Sequence, residues 1–399
     1  MPRERSAYPW WILAHVVLVE FLVVGVAWNY PIMLVNPLLA DLGLELSAWG
    51  VLWGAISLGA LLFSLPAGAL ADHLGVRFVL GAALLLAGAS LLLRAELHGL
   101  LPTAFAMLLF GLALGTLIAG LPKALGLWFP PERLGLANGI ALTGLGVSFF
   151  VTGFGVPALV DHLGGWRELS RALGWATLAT AALWLGTVRD PADRRASADL
   201  QTPLSGVRSV LRVRGVWLIT LCYAFYNAGY LGITAYTPTF LGEGELAATW
   251  VTVVSLSFAV GTLTFPALSD RLGRRKPVYA IGIATTAAVC SVTPYLGEVA
   301  IIALCVVWGL SSGTLALVFV IPVEMDPPGP ALAGAALGAA ISGGFAGGML
   351  GSVIGIQLAG VAPELAYAFW GACYALSALA FGLLQETGTA RRRLSTIHP

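Results

Sequence analysis

The chain has 399 residues, of which 58% are hydrophobic and only 10% are charged, and its formal net charge is +1. A water-soluble domain carries roughly 25% charged residues, whereas the mean hydropathy of this chain is +0.88. The composition therefore excludes a protein folded in water and predicts that lipid surrounds most of the chain.

Apolar runs of about 20 or more residues recur along the chain, and each is long enough to cross a hydrocarbon core of roughly 30 Å as a helix. A membrane β-barrel would instead show alternating segments of about ten residues. The sequence therefore predicts an all-α integral membrane protein with twelve transmembrane helices. The predicted spans are residues 10–36, 47–71, 78–97, 103–129, 135–161 and 172–188, followed by residues 215–241, 248–268, 277–296, 299–322, 332–360 and 365–384.

One long polar segment, residues 189–214, interrupts the apolar runs near the middle of the chain. We interpret it as a cytoplasmic linker between two lobes of six helices each. The predicted N-terminal lobe comprises residues 1–188, and the predicted C-terminal lobe comprises residues 215–399, including a short cytoplasmic tail.

Basic residues are distributed unequally between the two faces that twelve spans would define. All of the 21 Lys and Arg residues except Arg94, Arg167 and Arg171 fall on or near the face that holds both termini. Basic loops stay in the cytoplasm. We therefore expect a multi-pass protein of the cell inner membrane with both termini in the cytoplasm.

The two halves of the chain resemble each other at a common shift of 198 residues. This shift superimposes Asn29 on Asn227 and Asp72 on Asp270, and it aligns a glycine-containing stretch of the fourth span with one of the tenth. A common offset in several separate helices indicates a duplicated six-span unit. Such duplication is typical of two-lobed, pseudo-symmetric transporters.

Two related polar motifs follow the second and eighth predicted spans. Residues 68–77 read GALADHLGVR, and residues 266–276 read PALSDRLGRRK. Both resemble the signature motif of the major facilitator superfamily, in which a glycine and a small residue precede Asp, Arg, Gly and basic residues. His73 stands in the first copy where Arg is usual, and Pro266 stands in the second where Gly is usual.

The resemblance covers essentially the whole chain, because it includes the span count, the linker and the repeat as well as the two signature motifs. It implies a transporter rather than an enzyme, with the major facilitator fold. It also implies that two six-helix lobes expose a central site alternately to each side of the membrane. In that family the first, fourth, seventh and tenth spans line the cavity.

The signature motifs place carboxylates and guanidinium groups at helix ends, where an ion pair or a helix cap can stabilise one arrangement of the lobes. Charges that serve only to set the topology are the alternative. The residues to which we assign a gating role are Asp72 with Arg77 or Arg133, Asp270 with Arg271 or Arg274, and Glu324 near the end of the tenth span.

Glu20 lies about ten residues into the first predicted span, which places it about 15 Å deep, near the midplane. Charged groups at this depth are costly and usually functional, and apolar surroundings favour the protonated form of a carboxyl group. We therefore expect Glu20 to be the proton-coupling residue. The alternative is a structural Glu20 that is hydrogen-bonded to neighbouring helices or paired with a cation.

Lys123, near the end of the fourth predicted span, is the second charged candidate. It is expected to pair with Glu20, to bind an anionic substrate, or to extend to the membrane interface. Polar and aromatic residues of the first and seventh spans complete the predicted substrate site, although single aromatic residues commonly serve as anchors or packing. These residues are Trp28, Asn29, Tyr30, Tyr223, Tyr226, Asn227 and Tyr230, of which Tyr226 and Tyr230 share a helical face.

These features favour a secondary active transporter that imports a small organic solute, preferably a monocarboxylate-like anion, by proton-coupled symport. The sequence has no nucleotide-binding loop, which leaves an ion gradient or the gradient of the solute as the energy source. Two alternatives stay open. One is a proton antiporter that exports a hydrophobic or cationic drug-like compound, and the other is a transporter of a cationic or neutral metabolite bound among aromatic rings.

The five histidines are scattered, and the four cysteines lie inside predicted spans without the spacing of metal ligands. We therefore expect no metal, no cofactor, no disulfide and no catalytic residue. The expected partners are the small-molecule substrate, protons and the lipid bilayer, without nucleic acid, and the protein is expected to be a monomer.

Overall fold

The computed structural model describes residues 7–190, 209–242, 244–325 and 333–387. These residues are almost entirely helical, and no β-strand occurs among them. The all-α prediction is thereby confirmed. For a few residues in these ranges, among them Asp72, the structure describes the backbone but not the side chain.

The first half of the chain forms helices α1 to α8, most of which are joined by short turns. They are α1 (Tyr8–Val19), α2 (Val35–Leu42), α3 (Leu46–Leu74), α4 (Val76–Glu96), α5 (Leu100–Trp128), α6 (Pro131–Phe150), α7 (Val156–Leu163) and α8 (Trp166–Thr187). A π-helical segment (Glu20–Ala27) and a 3-10 segment (Tyr30–Met33) follow α1, and a second π-helical segment (Val151–Gly155) joins α6 to α7.

The second half of the chain forms helices α9 to α15. They are α9 (Arg214–Phe240), α10 (Glu245–Leu272), α11 (Lys276–Val292), α12 (Glu298–Ser312), α13 (Leu315–Glu324), α14 (Ala333–Val361) and α15 (Pro363–Gly382). The break between α12 and α13 at Gly313 and Thr314 falls inside the tenth predicted span, which is therefore less regular than its apolar run suggests.

Eleven helical stretches of the described residues are long and apolar enough to cross a membrane. Helix α8 occupies the place of the sixth predicted span, and its 22 residues are also long enough. Its mean hydropathy is lower because Arg167, Glu168 and Arg171 lie near its start. The helices of the described part of the chain thus fit the twelve predicted spans.

The chain folds into two compact units. As far as their residues are described, unit 1 comprises Met1–Leu44 and Leu58–Leu200, and unit 2 comprises Glu45–Ser57 and Gln201–Pro399. Helix α3 therefore begins in unit 2 and ends in unit 1. The predicted lobe boundaries assign the whole of this helix to the first lobe, and they stay a prediction.

Helix boundaries repeat at the shift of 198 residues that the sequence shows. Helix α3 ends at Leu74 and α10 ends at Leu272. The glycines that follow, Gly75 and Gly273, have positive φ values of 102° and 66°, a conformation that glycine adopts at low cost because it lacks a Cβ atom. The two signature motifs therefore turn the chain at equivalent points.

Glycines allow α9 and α14, both in unit 2, to approach each other closely. A Cβ atom added at Gly347 would lie 1.8 Å from the carbonyl oxygen of Ala224, and one added at Gly351 would lie 2.1 Å from the carbonyl oxygen of Ala228. Helices in membranes commonly associate through such small residues, because no hydrophobic effect drives them together.

We expect Gly347→Ala to lower the free energy of unfolding by about 1–3 kcal/mol, because the added methyl group collides with backbone atoms of α9. Gly360→Ala is the matched control in the same helix, since a Cβ atom there meets nothing within 4 Å. The control should be neutral or slightly stabilising. Thermal unfolding of both variants in detergent measures the difference, and equal midpoints would contradict the close approach of α9 and α14.

Candidate functional site

Glu20 is the first residue of the π-helical segment that interrupts the first span. Its side chain is buried, with 8% of its surface exposed. Turns of π-helix are rare and occur frequently at functional sites. Glu20 is therefore a buried carboxyl group at an irregular point of a membrane helix, which keeps it the leading candidate for proton binding.

The irregular part of the first span packs closely against α6. A Cβ atom added at Gly25 would lie 2.0 Å from Ser148 Oγ, and one added at Gly144 would lie 2.4 Å from the carbonyl oxygen of Val17. Asn29 Nδ2 donates a hydrogen bond to the carbonyl oxygen of Gly25 at 2.8 Å. Glycines thus hold the first and fifth spans together beside Glu20, and one donor of the Asn29 amide is already used within the segment.

The ion pair that we considered between Glu20 and Lys123 is not formed between these two described residues. Lys123 lies partly exposed near the C-terminal end of α5 and is engaged in an interaction of its own. Anion binding and extension toward the membrane interface stay predictions for Lys123.

Tyr30 is fully buried and contacts Arg94, which we did not select from the sequence. Arg94 Nη1 donates to the Tyr30 hydroxyl group at 3.4 Å. The guanidinium group also packs over the rings of Tyr30 and Phe110, at 5.8 Å and 5.3 Å from their centroids. The sequence contains a signal that Arg94 is functional, because Arg94 lies inside the third predicted span, where a charge is costly. The distribution of basic residues predicts only that Arg94 belongs to the outer face.

The tyrosines of the seventh span belong to a cluster of aromatic rings in unit 2. Tyr226 and Tyr230 stack at 5.8 Å, as their shared helical face predicts, and Tyr230 stacks on Trp308 at 5.6 Å. The Tyr226 hydroxyl group donates to the carbonyl oxygen of Ser312 at 2.8 Å. Tyr226 is fully buried, whereas Tyr223 and Tyr230 are partly exposed. Tyr223 and Tyr230 are therefore more accessible than Tyr226.

The remaining predicted substrate residues are Trp28 and Asn227. Trp28 is partly exposed in the first span. Asn227 is buried beside α14, where a Cβ atom added at Gly344 would lie 3.0 Å from Asn227 Nδ2. Asn29 and Asn227 lie in different units, and the hypothesis that they face one substrate stays a prediction.

A network of charges surrounds Arg275 in the second signature motif. Arg275 Nη1 donates to Asp270 Oδ1 at 2.5 Å, and Nη2 donates to Glu324 Oε1 at 2.6 Å. The backbone N–H groups of Arg275 and Lys276 donate to the Glu386 carboxylate at 2.7 Å and 3.1 Å. The hydrogen bond that Arg275 donates to Glu324, and to a smaller extent the one that it donates to Asp270, raises the pKa of Arg275 above its usual value. The guanidinium group is therefore charged and fixed between two carboxylates.

We expected Arg271 or Arg274 to pair with Asp270, and the structure gives this place to Arg275. Both of the expected arginines are exposed. The reason is the turn at Gly273, whose left-handed conformation reverses the chain after α10 and brings Arg275 to the start of α11. The spacing of three nearby arginines did not show which one the turn would bury. The gating role of Asp270 stays a prediction.

Arg77 in unit 1 occupies the position equivalent to Arg275 but makes different contacts. Its Nε and Nη2 atoms donate to the carbonyl oxygen of Leu185 at 2.9 Å and 2.5 Å. Its backbone N–H group donates to Asp190 Oδ1 at 3.3 Å. Arg77 therefore satisfies a carbonyl group in the last turn of α8, where the helix itself supplies no donor.

One position of the repeat contributes to the difference between Arg77 and Arg275. Gly126 stands 198 residues before Glu324 and supplies no carboxylate to unit 1. Arg133, one of the expected partners of Asp72, is exposed, and the side chain of Asp72 lies outside the described residues. The latch proposed for the first signature motif stays a prediction.

Comparison with known proteins identifies the fold. The family model described as Major Facilitator Superfamily matches residues 16–352. A search of curated proteins found no match. The solved structures that resemble this chain include a bacterial homolog of the human lysosomal transporter Spinster in an inward-facing, unoccupied conformation. It shares 15% identity with a TM-score of 0.73, and the alignment covers 94% of this chain and 96% of the homolog.

Two further structures give the same result. The occupied, inward-facing form of a Spinster homolog has a TM-score of 0.72 at 15% identity, over 95% of this chain and 97% of that one. The nucleoside transporter NupG has a TM-score of 0.71 at 15% identity, over 93% of this chain and 97% of that one. At this identity the structural likeness shows the fold alone. Since the family model spans most of the sequence, this multi-pass membrane protein belongs to the major facilitator superfamily and is a secondary transporter rather than an enzyme.

Proposed function

We propose that this transporter imports a small organic solute, preferably a monocarboxylate-like anion, by proton-coupled symport and alternating access. The observation that carries the proposal is the burial of Glu20 at the π-helical interruption of the first span. Among the described residues, no ion pair compensates the charge that this carboxyl group would carry when ionised.

A buried carboxyl group without a cationic partner is stable in its neutral form, because an isolated charge in apolar surroundings is costly. It releases its proton when water or a charged group gains access to it. A change of access during the transport cycle therefore changes the proton occupancy of Glu20, which is the property that a proton-coupling residue needs.

The preference for an anion rests on Lys123, which lies partly exposed in a span that lines the cavity in this family. Hydroxyl donors are available from Tyr223 and Tyr230, both partly exposed in the seventh span. A second candidate function is favoured by the stacked rings of Tyr226, Tyr230 and Trp308, because aromatic faces bind cations and flat neutral solutes.

Uptake by the purified protein in liposomes tests the proposal. With an acidic exterior, a labelled monocarboxylate should enter by a saturable process, accumulate above equilibrium and leave again when a protonophore collapses the pH gradient. Liposomes without protein correct for diffusion of the uncharged acid. Accumulation that is driven only by the opposite gradient would instead identify an antiporter, and inhibition by aromatic cations rather than carboxylates would favour the second candidate function.

Lys123→Ala is expected to raise the KM for the anion about 10-fold to 100-fold, because a hydrogen bond to a charged group contributes about 1.5–3 kcal/mol. The dependence on the pH gradient should persist, since Glu20 is unchanged. Arg189→Ala removes an exposed cation from the same unit and serves as the control. Initial uptake rates over a range of solute concentrations provide the measurement, and an unchanged KM in Lys123→Ala would exclude Lys123 as the anion site.

A further inference from the structure

Arg94 is a buried cation for which neither the signature motifs nor the proton-coupling mechanism provides a role. It lies in the last turn of α4, and its side chain is fully buried. No carboxylate of the described residues forms an ion pair with it. A buried charge of this kind is costly unless an opposite charge compensates it.

The hydrogen-bond donors of Arg94 are used unevenly. Nη1 donates to the Tyr30 hydroxyl group at 3.4 Å, whereas Nε and Nη2 have no hydrogen-bond partner among the described residues. These two atoms form one edge of the planar guanidinium group, and their N–H bonds are parallel. This edge matches the two oxygen atoms of a carboxylate.

The faces of the same guanidinium group are occupied. The rings of Tyr30 and Phe110 lie 5.8 Å and 5.3 Å from its central carbon atom. Contacts between a guanidinium group and aromatic faces restrict its orientation without using its N–H donors. Arg94 is therefore held by its faces and by one nitrogen atom, and the edge that suits a carboxylate stays unused.

The other two arginines at this end of unit 1 already have carboxylate partners. Arg167 Nε lies 2.7 Å from Asp41 Oδ2, and Arg171 Nε lies 2.8 Å from Glu96 Oε1. Arg171 also pairs with Glu168. Asp41, Glu96 and Glu168 are thus engaged with other arginines, and none of them compensates Arg94.

We propose that Arg94 binds the carboxylate group of a small monocarboxylate, with Nε and Nη2 donating to its two oxygen atoms and Tyr30 and Phe110 fixing the guanidinium plane. The inference rests on the proposed function for the class of solute. It adds a second anion site far from Lys123. Arg94 lies in the last turn of α4, next to the turn that joins α4 to α5, and Lys123 lies roughly 35 Å along α5 from that turn. If the termini face the cytoplasm, as the charge distribution predicts, Arg94 lies at the end of unit 1 where an imported solute arrives.

Thermal unfolding of the purified full-length protein in detergent tests the site without any gradient. Acetate and lactate should raise the unfolding midpoint of the wild-type protein in a saturable manner, since a ligand that binds the folded state stabilises it. Acetamide and lactamide, which lack the charge, should not. In a Lys123→Ala background, where the other proposed anion site is removed, Arg94→Gln should abolish the shift. In the same background Arg94→Lys should weaken the apparent affinity at least about tenfold, because lysine lacks the two parallel donors.

Two further variants separate binding from folding. Arg171→Gln removes a neighbouring arginine that already has carboxylate partners, and it should keep the full ligand-dependent shift. Tyr30→Phe keeps the ring and removes the hydroxyl group, so it should fold and lower the affinity a few-fold. Should Arg94→Gln fail to fold, Arg94→Lys and Tyr30→Phe decide the question.

The inference is overturned if the wild-type protein shows no carboxylate-dependent shift. It is equally overturned if the folded Arg94 variants keep the wild-type affinity. The proposed function is tested separately from the Arg94 site. Binding that depends on Arg94 without accumulation in liposomes would support the site and contradict symport. Proton-driven accumulation that survives in Arg94→Gln would support symport and contradict the site.

Discussion

Glu20→Gln is expected to abolish proton-driven accumulation of the solute while leaving solute exchange intact. Glutamine has the size and hydrogen-bonding groups of a protonated glutamate, but it cannot release a proton. For an electroneutral symport of one proton with one anion, each unit of pH difference supports about a tenfold accumulation at equilibrium. The variant should bring this ratio to one, with external and internal solute at equal concentration.

Two assays on the same liposomes separate coupling from binding. Uptake against a pH gradient reports coupling, and counterflow between labelled and unlabelled solute without a gradient reports binding and movement alone. Glu298→Gln is the matched control, because it makes the same chemical change at an exposed residue at the start of α12. Accumulation in Glu20→Gln at the level of this control would show that another group couples the proton.

Arg275→Gln is expected to lower the free energy of unfolding by about 2–3 kcal/mol. Removing one partner of a fully buried ion pair costs about 3–5 kcal/mol, because the remaining charge is left uncompensated. The loss is smaller here, since the side chains of Glu324 and Asp270 are 24% and 64% exposed and water screens them. Arg275 itself is only 8% exposed, so the variant removes the buried cation that both carboxylates contact.

The comparison with Arg274→Gln isolates the effect of the network, because that arginine is exposed and only one residue away. Thermal or denaturant unfolding in detergent supplies the measurement. Adding Glu324→Gln to Arg275→Gln should recover part of the lost stability, since it removes one of the unpaired carboxylates, and the double-mutant cycle gives the coupling energy. Equal stability of Arg275→Gln and Arg274→Gln would contradict the central position of Arg275.

The gating hypothesis makes the same variants informative for transport. If the network stabilises one arrangement of the helices, Arg275→Gln should change the rate of counterflow as well as the stability, whereas Arg274→Gln should change neither. A variant that loses stability and keeps its counterflow rate would assign a purely structural role to the network.

The sequence by itself determined the fold class, the spans and the family. A membrane helix is specified by the length of its apolar run, because every backbone polar group in lipid must be satisfied within the segment. This rule is local, so it can be applied to each run separately. The repeat at 198 residues and the two signature motifs are likewise patterns in the sequence, and the helix ends at Leu74 and Leu272 reproduce them.

Only the tertiary structure decided which charged side chains are buried and which neighbours they meet. Three arginines, Arg271, Arg274 and Arg275, lie close to Asp270 in the sequence, and the sequence does not distinguish them as its partner. The left-handed turn at Gly273 places only Arg275 between carboxylates. The sequence predicts only that Arg94 lies on the outer face, whereas in the structure it is fully buried against Tyr30 and Phe110. The cost of a charge depends on the atoms that surround it, and several helices distant in the sequence supply those atoms.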